Sequence, residues 1–193
     1  MVNVTDKIIL TDCDGVILNW EKQFHRWMND RGYNVVKSGV YEIHDTYDIA
    51  QERAMKYVEE FNTSAYLIDL PPFKDALSGV ATLKENGYKF IAITTVGGNY
   101  HTHYLRKINL ENLFGKDTFV ELHCLSESEG KKNTLERFKD SGLYWIEDLP
   151  KNAKLGADLG LRTLLIDHSY NKDFNDDRII RVRSWKDICN III

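Results

Sequence analysis

The sequence predicts an α/β protein, a parallel β-sheet covered by helices and interrupted early by a helical insert. Two observations carry this. Apolar β-branched runs alternate along the chain with helical patterns. Behind the first run lie about sixty residues of helical character, too many for a simple crossover in a compact domain. A chain of 193 residues is long enough to bury one substantial core with a small inserted unit.

The runs at Lys7 to Leu10, Tyr88 to Ile93, Thr118 to Leu122, Leu143 to Ile146 and Arg162 to Ile166 supply five strands. Asp75 to Asn86 reads as a helix with Leu77, Val80, Ala81 and Leu83 on one face and Gly87 as its stop. Asn133 to Lys139 and Asn152 to Leu159 read similarly, and the last helix, Ser184 to about Ile191, has a serine N-cap and docks through Trp185, Ile188 and Cys189. In the insert, Trp20, Phe24 and Trp27 form one apolar stripe, and Ala50, Ala54, Tyr57, Val58 and Phe61 form another. Both are expected to pack as the insert's own core. Pro71 and Pro72 end the insert near Leu70, because proline cannot continue a helix.

The chemistry is concentrated where strands end. The first strand stops on Asp12-Cys13-Asp14-Gly15, which delivers two carboxylates and a group of backbone N–H donors to one edge of the sheet. Cys13, set between them, is expected to point into the packing. The second strand ends on Thr94 and Thr95 followed by Gly97 and Gly98, hydroxyls and free donors that can hold a phosphoryl oxygen. Lys131 and Lys132 open a helix after Gly130, and the fourth strand ends on Glu147 and Asp148. In a parallel sheet all these ends fall on the carboxyl edge, where open α/β sheets bind ligands. Each has an ordinary explanation as turn or surface chemistry; their joint occurrence at strand ends points to a phosphate site.

Composition narrows the partners. Against 29 acidic residues stand 25 basic ones, a net charge of −4 that gives no surface for coating a nucleic-acid polymer. The three cysteines, Cys13, Cys124 and Cys189, have no paired zinc spacing and suit a reduced compartment. No run approaches a membrane span and the N-terminus lacks leader character, so a soluble cytoplasmic protein is expected. His25, His44, His101 and His103 are polar candidates near the site, but His101 and His103 lack further ligands at zinc-site spacing, and no second metal is expected. The Asn/Asp-rich stretch from Asp167 to Asp177 either borders the site or forms a solvated turn, the second being the simpler expectation.

Across nearly its whole length the chain resembles the haloacid dehalogenase superfamily, mostly magnesium-dependent phosphatases. The segments TDCDGV, IAITT, SEGKKNTLERF and WIEDLPKNAKLGADLGLRTLLID look like its four motifs in order. The resemblance implies a three-layer Rossmann-like core over residues 1–15 and 72–193, with a helical cap over 16–71. It also implies an aspartyl-phosphate mechanism, with Asp12 as nucleophile and Asp14 as general acid and base. Thr94, Thr95 and Lys131 would bind phosphate, Lys131 being chosen over Lys132 by its spacing to Leu135 and Phe138. Asp12, Asp148 and the backbone carbonyl of Asp14 would hold Mg²⁺, with Glu147 a further ligand or, like Lys132, a supporting residue. Cap length, YLIDLPPFKDALSGVATLKENG, and the tail DHSYNKDF look like the 5′(3′)-deoxyribonucleotidase branch, implying a nucleoside monophosphate substrate. Ser169 replaces a proline of that branch's tail, and Val96 stands where its second motif commonly has one. A small-molecule or sugar phosphatase, or a phosphomutase, is the enzyme alternative. A phospho-receiver signalling module is the non-enzyme alternative, but it needs an aspartate after the third strand, where His123, Cys124 and Leu125 stand.

Overall fold

The computed structural model describes residues 7–193. The expectation about leader character falls mostly on Met1–Asp6, outside the described residues. Strand β1 (Lys7–Thr11) is followed by helices α1 (Trp20–Asn29), α2 (Ile43–Tyr47) and α3 (Gln51–Asn62), a 3-10 turn (Ala65–Asp69) and α4 (Ala76–Glu85). Then come β2 (Tyr88–Thr95), α5 (Tyr100–Phe114), β3 (Phe119–Leu125), α6 (Lys132–Glu136), β4 (Tyr144–Glu147) and α7 (Pro150–Asp158). The chain closes with β5 (Arg162–Ile166), a short 3-10 turn (Ser169–Asn171), β6 (Ile179–Val182) and α8 (Trp185–Ile192).

All six strands are parallel, in the order β3-β2-β1-β4-β5-β6. The α/β architecture is the expected one, with β1 central and the chain turning to opposite sides of it for β2 and β4. That reversal opens a crevice at the carboxyl ends of β1, β2 and β4. The core strands are buried on both faces, which is why they read as continuous apolar runs rather than alternating ones.

Two elements were not expected. Strand β6 is a four-residue edge strand with only its end residues buried, too short and too mixed to show a period. Helix α5 has no clean apolar stripe, because its buried residues Leu105, Leu110 and Phe114 are interleaved with equally buried Thr102, Arg106 and Asn109. Its N-terminus is nonetheless capped, the Asn99 side chain accepting from the Thr102 N–H at 2.9 Å. The serine cap expected before α8 is also formed, Ser184 Oγ accepting from the Asp187 N–H at 3.2 Å.

The aromatic stripes of α1 and α3 meet each other: Trp20 stacks on Phe24 at 4.4 Å between ring centroids, and Phe61 meets Phe24 edge-on at 5.2 Å. This cluster runs without a break into the apolar layer beneath the sheet, which includes Ile9, Phe90 and Trp185. The segment's two ends are stitched together, Asn19 N–H donating to the Pro71 carbonyl and Phe73 N–H to that of Ile17, each at 2.8 Å. The chain therefore leaves the sheet after β1 and returns to the same spot.

Helix α7 lies unusually close to the sheet. A Cβ at Gly156 would sit 2.4 Å from Trp145 Cδ1 and 2.9 Å from Thr163 Oγ1, both in fully buried side chains. Gly156→Ala is therefore expected to destabilise the protein by about 1–3 kcal/mol through overpacking, although alanine is the better helix former by about 1 kcal/mol. Lys151→Ala, on the exposed side of the same helix, should stay within about 0.5 kcal/mol in the same urea titration. Equal midpoints for both variants would refute the close-packing argument.

Candidate active site

The loop after β1 builds the site. Asp12 extends the ladder by donating its N–H to the Ile146 carbonyl at 2.9 Å, and the chain then doubles back so that the Cys13 carbonyl accepts from the N–H groups of Ile17 and Leu18, each at 2.9 Å. Gly15 makes the turn with φ of +74°, and a Cβ there would sit 2.2 Å from Asp148 Oδ2, so glycine is required on both counts. Cys13 is buried in the packing as expected.

Asp12 is held at both oxygens. Oδ1 accepts from the Cys13 N–H at 2.6 Å, and Oδ2 meets Lys131 Nζ, also at 2.6 Å. The same ammonium reaches Glu147 Oε2 at 2.8 Å, while Glu147 Oε1 accepts from the N–H groups of Asp148 and Leu149 at 3.1 and 3.0 Å. Asp148 Oδ2 accepts from the Tyr170 hydroxyl. Oxygens of Asp12, Glu147 and Asp148 all lie within 4.8 Å of one another.

Burial dominates the electrostatics. It pushes the Asp12 carboxyl up to about 7, the Lys131 ammonium opposing this and the Glu147 and Asp14 carboxylates adding to it. Burial likewise raises Glu147 to about 7, partly countered by Lys131, and Asp148 to about 6, with the Asp12 charge reinforcing the shift. For Lys131, burial alone would lower the pKa, but the paired Asp12 and Glu147 carboxylates outweigh it and keep the side chain charged.

Asp14 stands apart from this cluster. Its Oδ2 takes a 2.7 Å ion pair from Arg106 Nη2 on α5 and a 3.5 Å contact from Thr94 Oγ1. Of the other expected residues, Thr95 and Lys132 are not brought in. Side chains alternate along a strand, so Thr95 points opposite to the buried Thr94, and as the last residue of β2 it lies past the covered part of the sheet and is exposed. Lys132 sits on the solvent side of α6, 3.8 Å from Glu136, because one helical step turns it away from Lys131. The histidines expected near the site make local bonds: His25 to Tyr47 at 2.6 Å, His101 to the Thr63 carbonyl at 3.1 Å and His103 to the Leu122 carbonyl at 3.3 Å, while His44 lies by Glu42 and Asp45.

The expectation of a solvated turn at Asp167 to Asp177 is corrected at its start. His168 Nε2 donates to the Gly15 carbonyl at 2.8 Å, Tyr170 holds Asp148, and Asn171 Nδ2 donates to the carbonyls of Asp148 and Ile166 at 2.7 and 2.8 Å. The His168 and Tyr170 rings stack at 4.8 Å, and Tyr41 of the segment before α2 meets Tyr170 edge-on at 5.6 Å. Arg106, Tyr41, His168, Tyr170 and Asn171 were not read as site residues. Only the tail DHSYN offered a signal, since its spacing sets two aromatic residues and an amide just beyond a strand end.

No family model matches the chain. An uncharacterised 32.4 kDa protein from the Gp30–rIII intergenic region of Enterobacteria phage T4 is 27% identical, over 94% of this chain and 68% of its own length. Among solved structures, a predicted phosphatase from Clostridium acetobutylicum superposes with a TM-score of 0.65 at 15% identity, covering 97% of this chain and 98% of that one. YfnB from Bacillus subtilis, described as a HAD-hydrolase bound to magnesium, gives 0.62 at 14% identity with the same coverage. At these identities the likeness establishes the fold, the Rossmann-like core shared by haloacid dehalogenase-type hydrolases. No helix among the described residues is long and apolar enough to cross a membrane.

The raised carboxylates give a stability prediction. A folded-state value for Asp148 near 6, against an ordinary 3.8, means that its contribution favours folding below about pH 4 and is lost as pH rises through 6. Without divalent metal, Asp148→Asn should therefore melt higher than the parent protein at pH 8, with the gap closing toward pH 5. A lower melting temperature for the variant at pH 8 would contradict the electrostatic reading.

Proposed function

We propose that the protein is a magnesium-dependent phosphomonoester hydrolase of the haloacid dehalogenase-like superfamily, with a nucleoside monophosphate as substrate. The observation that carries this reading is the Lys131 ammonium buried between Asp12 and Glu147 at the carboxyl edge, beside Asp148. The donor set is all oxygen and rich in carboxylate, which fits a hard divalent cation such as Mg²⁺. Asp12, Asp148 and the Asp14 carbonyl would hold the ion, and Glu147, whose oxygens are taken by Lys131 and two backbone N–H groups, braces the lysine. When bound, the ion neutralises charge on phosphoryl oxygens.

In this reading an Asp12 oxygen bonds to phosphorus as the bond to the leaving alcohol breaks, and the Asp14 carboxyl gives that alcohol its proton. A water oxygen then bonds to phosphorus and passes a proton to Asp14, the aspartyl oxygen–phosphorus bond breaks, and inorganic phosphate leaves. Thr94 lies beside Asp14 and would orient a phosphoryl oxygen, while Lys131 offsets charge on Asp12 and on the phosphate. The cap role of residues 16–71 and the nucleotide preference rest on the sequence resemblance. A sugar phosphate would be served by the same phosphate-handling residues.

A screen of deoxynucleoside 5′- and 3′-monophosphates, ribonucleotides and sugar phosphates should give phosphate release only with Mg²⁺. Asp12→Asn should fold and lose on the order of 10³-fold or more in kcat. Substantial turnover by that variant would refute the nucleophile role. Equal rates on nucleotides and sugar phosphates would remove the nucleotide assignment alone. Asp14→Asn should lose far more on benzyl phosphate, whose leaving alkoxide needs a proton, than on p-nitrophenyl phosphate; equal losses would count against the acid role.

A further inference from the structure

We propose that Arg106, which lies outside every motif of the sequence, is a positioning residue for proton transfer at Asp14. By gripping Oδ2 it fixes the torsion of the carboxylate that gives and takes the proton. The inference rests on the phosphatase reading and extends it to a residue 92 positions from the carboxylate.

The contact is lopsided. Arg106 Nη2 meets Asp14 Oδ2 at 2.7 Å, and the 3.5 Å contact from Thr94 falls on the same oxygen. Asp14 Oδ1 is buried and finds no hydrogen-bond partner among the described residues, and the same holds for Arg106 Nε and Nη1. An arginine placed for stability would meet a carboxylate with both arms of its fork. This one is fully buried yet uses a single donor on Asp14, an arrangement costly to bury and weak as a structural tie. A leucine or methionine at this position would complete the apolar stripe that α5 otherwise lacks. What the arginine adds is a fixed torsion for the Asp14 carboxylate.

Helix α5 is in turn well anchored. Thr102 and Asn109 flank Arg106 on its buried face, and Asn109 Nδ2 donates to the carbonyls of Ile68 and Leu70 at 2.7 and 3.0 Å, where the inserted segment rejoins the sheet. At the N-terminal end of α5, His101 meets the Thr63 carbonyl at the end of α3. Arg106 thus projects from a helix fastened to the inserted segment at two places, and the position of Asp14 is referred to that segment as well as to β1. Misplacement of a catalytic group by about 1 Å costs on the order of 10²-fold in rate.

The test is steady-state kinetics with Mg²⁺ on p-nitrophenyl and benzyl phosphate, two esters of similar shape that differ in their need for a proton. Arg106→Met should lower kcat for benzyl phosphate by on the order of 10²-fold and for p-nitrophenyl phosphate by about tenfold or less, with KM changed by less than about threefold. Arg106→Lys should recover part of the loss. Arg106→Met added to Asp14→Asn should cost little more on benzyl phosphate than Asp14→Asn alone, because the two act as a unit. Equal losses on both esters, a loss confined to KM, or additive losses in the double variant would each overturn the proposal. If Arg106→Met does not fold, Arg106→Gln gives the same ratio of losses, with Arg106→Lys again the partial rescue. An unmutated protein inactive on both esters, or an Asp12→Asn variant as active as it, overturns the phosphatase reading itself, so the two failures are told apart.

Discussion

The Lys131 ammonium, shared between Asp12 and Glu147 at 2.6 and 2.8 Å, is the interaction on which the site depends. Three carboxylates converge within 4.8 Å in a buried crevice, an arrangement that repulsion and lost hydration both oppose. Near a protein surface two opposite unit charges 4 Å apart attract by about 4 kcal/mol, and burial strengthens this while raising the cost of bringing the charges there. One lysine contacts two of the three, while backbone N–H groups take up the other oxygen of Glu147 and the Tyr170 hydroxyl donates to the Asp148 carboxylate. When fully ionised, Asp12, Asp14, Glu147 and Asp148 still outnumber Lys131 and Arg106 by two charges, which a divalent cation would offset.

The topology makes this convergence cheap in chain length. Because β1 lies between β2 and β4, the ends of three strands reach one crevice with no long loop, and each delivers its polar residue on the first position past the apolar run or within it. Lys131 comes from the turn before α6, where Gly130 at φ of +59° lets the chain swing back toward the sheet. The segment after β5 closes the far side, His168 on the Gly15 carbonyl and Tyr170 on Asp148. Both grip groups in the loop and strand end proposed to hold the metal, so they fix the orientation of its donors rather than donate themselves.

Much of this was legible in the sequence, for a definite reason. Strands buried on both faces read as apolar runs, and residues that interrupt such a run at its end stand out. This is how Asp12, Asp14, Thr94, Glu147 and Asp148 were found. Thr95 and Lys132 were grouped with their neighbours because a one-dimensional reading does not say which of two adjacent polar residues faces inward. The strand pleat and the first turn of α6 settle that, burying Thr94 and Lys131 and exposing the others. Asp167 to Asp177 has a turn composition, and composition does not report that its first residues lie against the Gly15 loop.

Helix α5 was the larger omission, and the cause is the same property that gives it a role. Apolar periodicity detects helices whose buried face serves packing alone, and a helix that spends buried positions on Thr102, Arg106 and Asn109 erases its own signal. The resulting asymmetry separates two carboxylates two residues apart. Asp12 has both oxygens engaged, one by a backbone N–H and one by Lys131, which fixes the orientation of the proposed nucleophile. Asp14 has one oxygen held by Arg106 and the other buried without a partner among the described residues, so in the proposed reading the torsion of the proton-carrying carboxylate is set by the arginine. Distinct environments for like residues are how a site gives them distinct work. Here the difference is supplied from outside the strand ends, by an arginine on a helix bonded to the inserted segment.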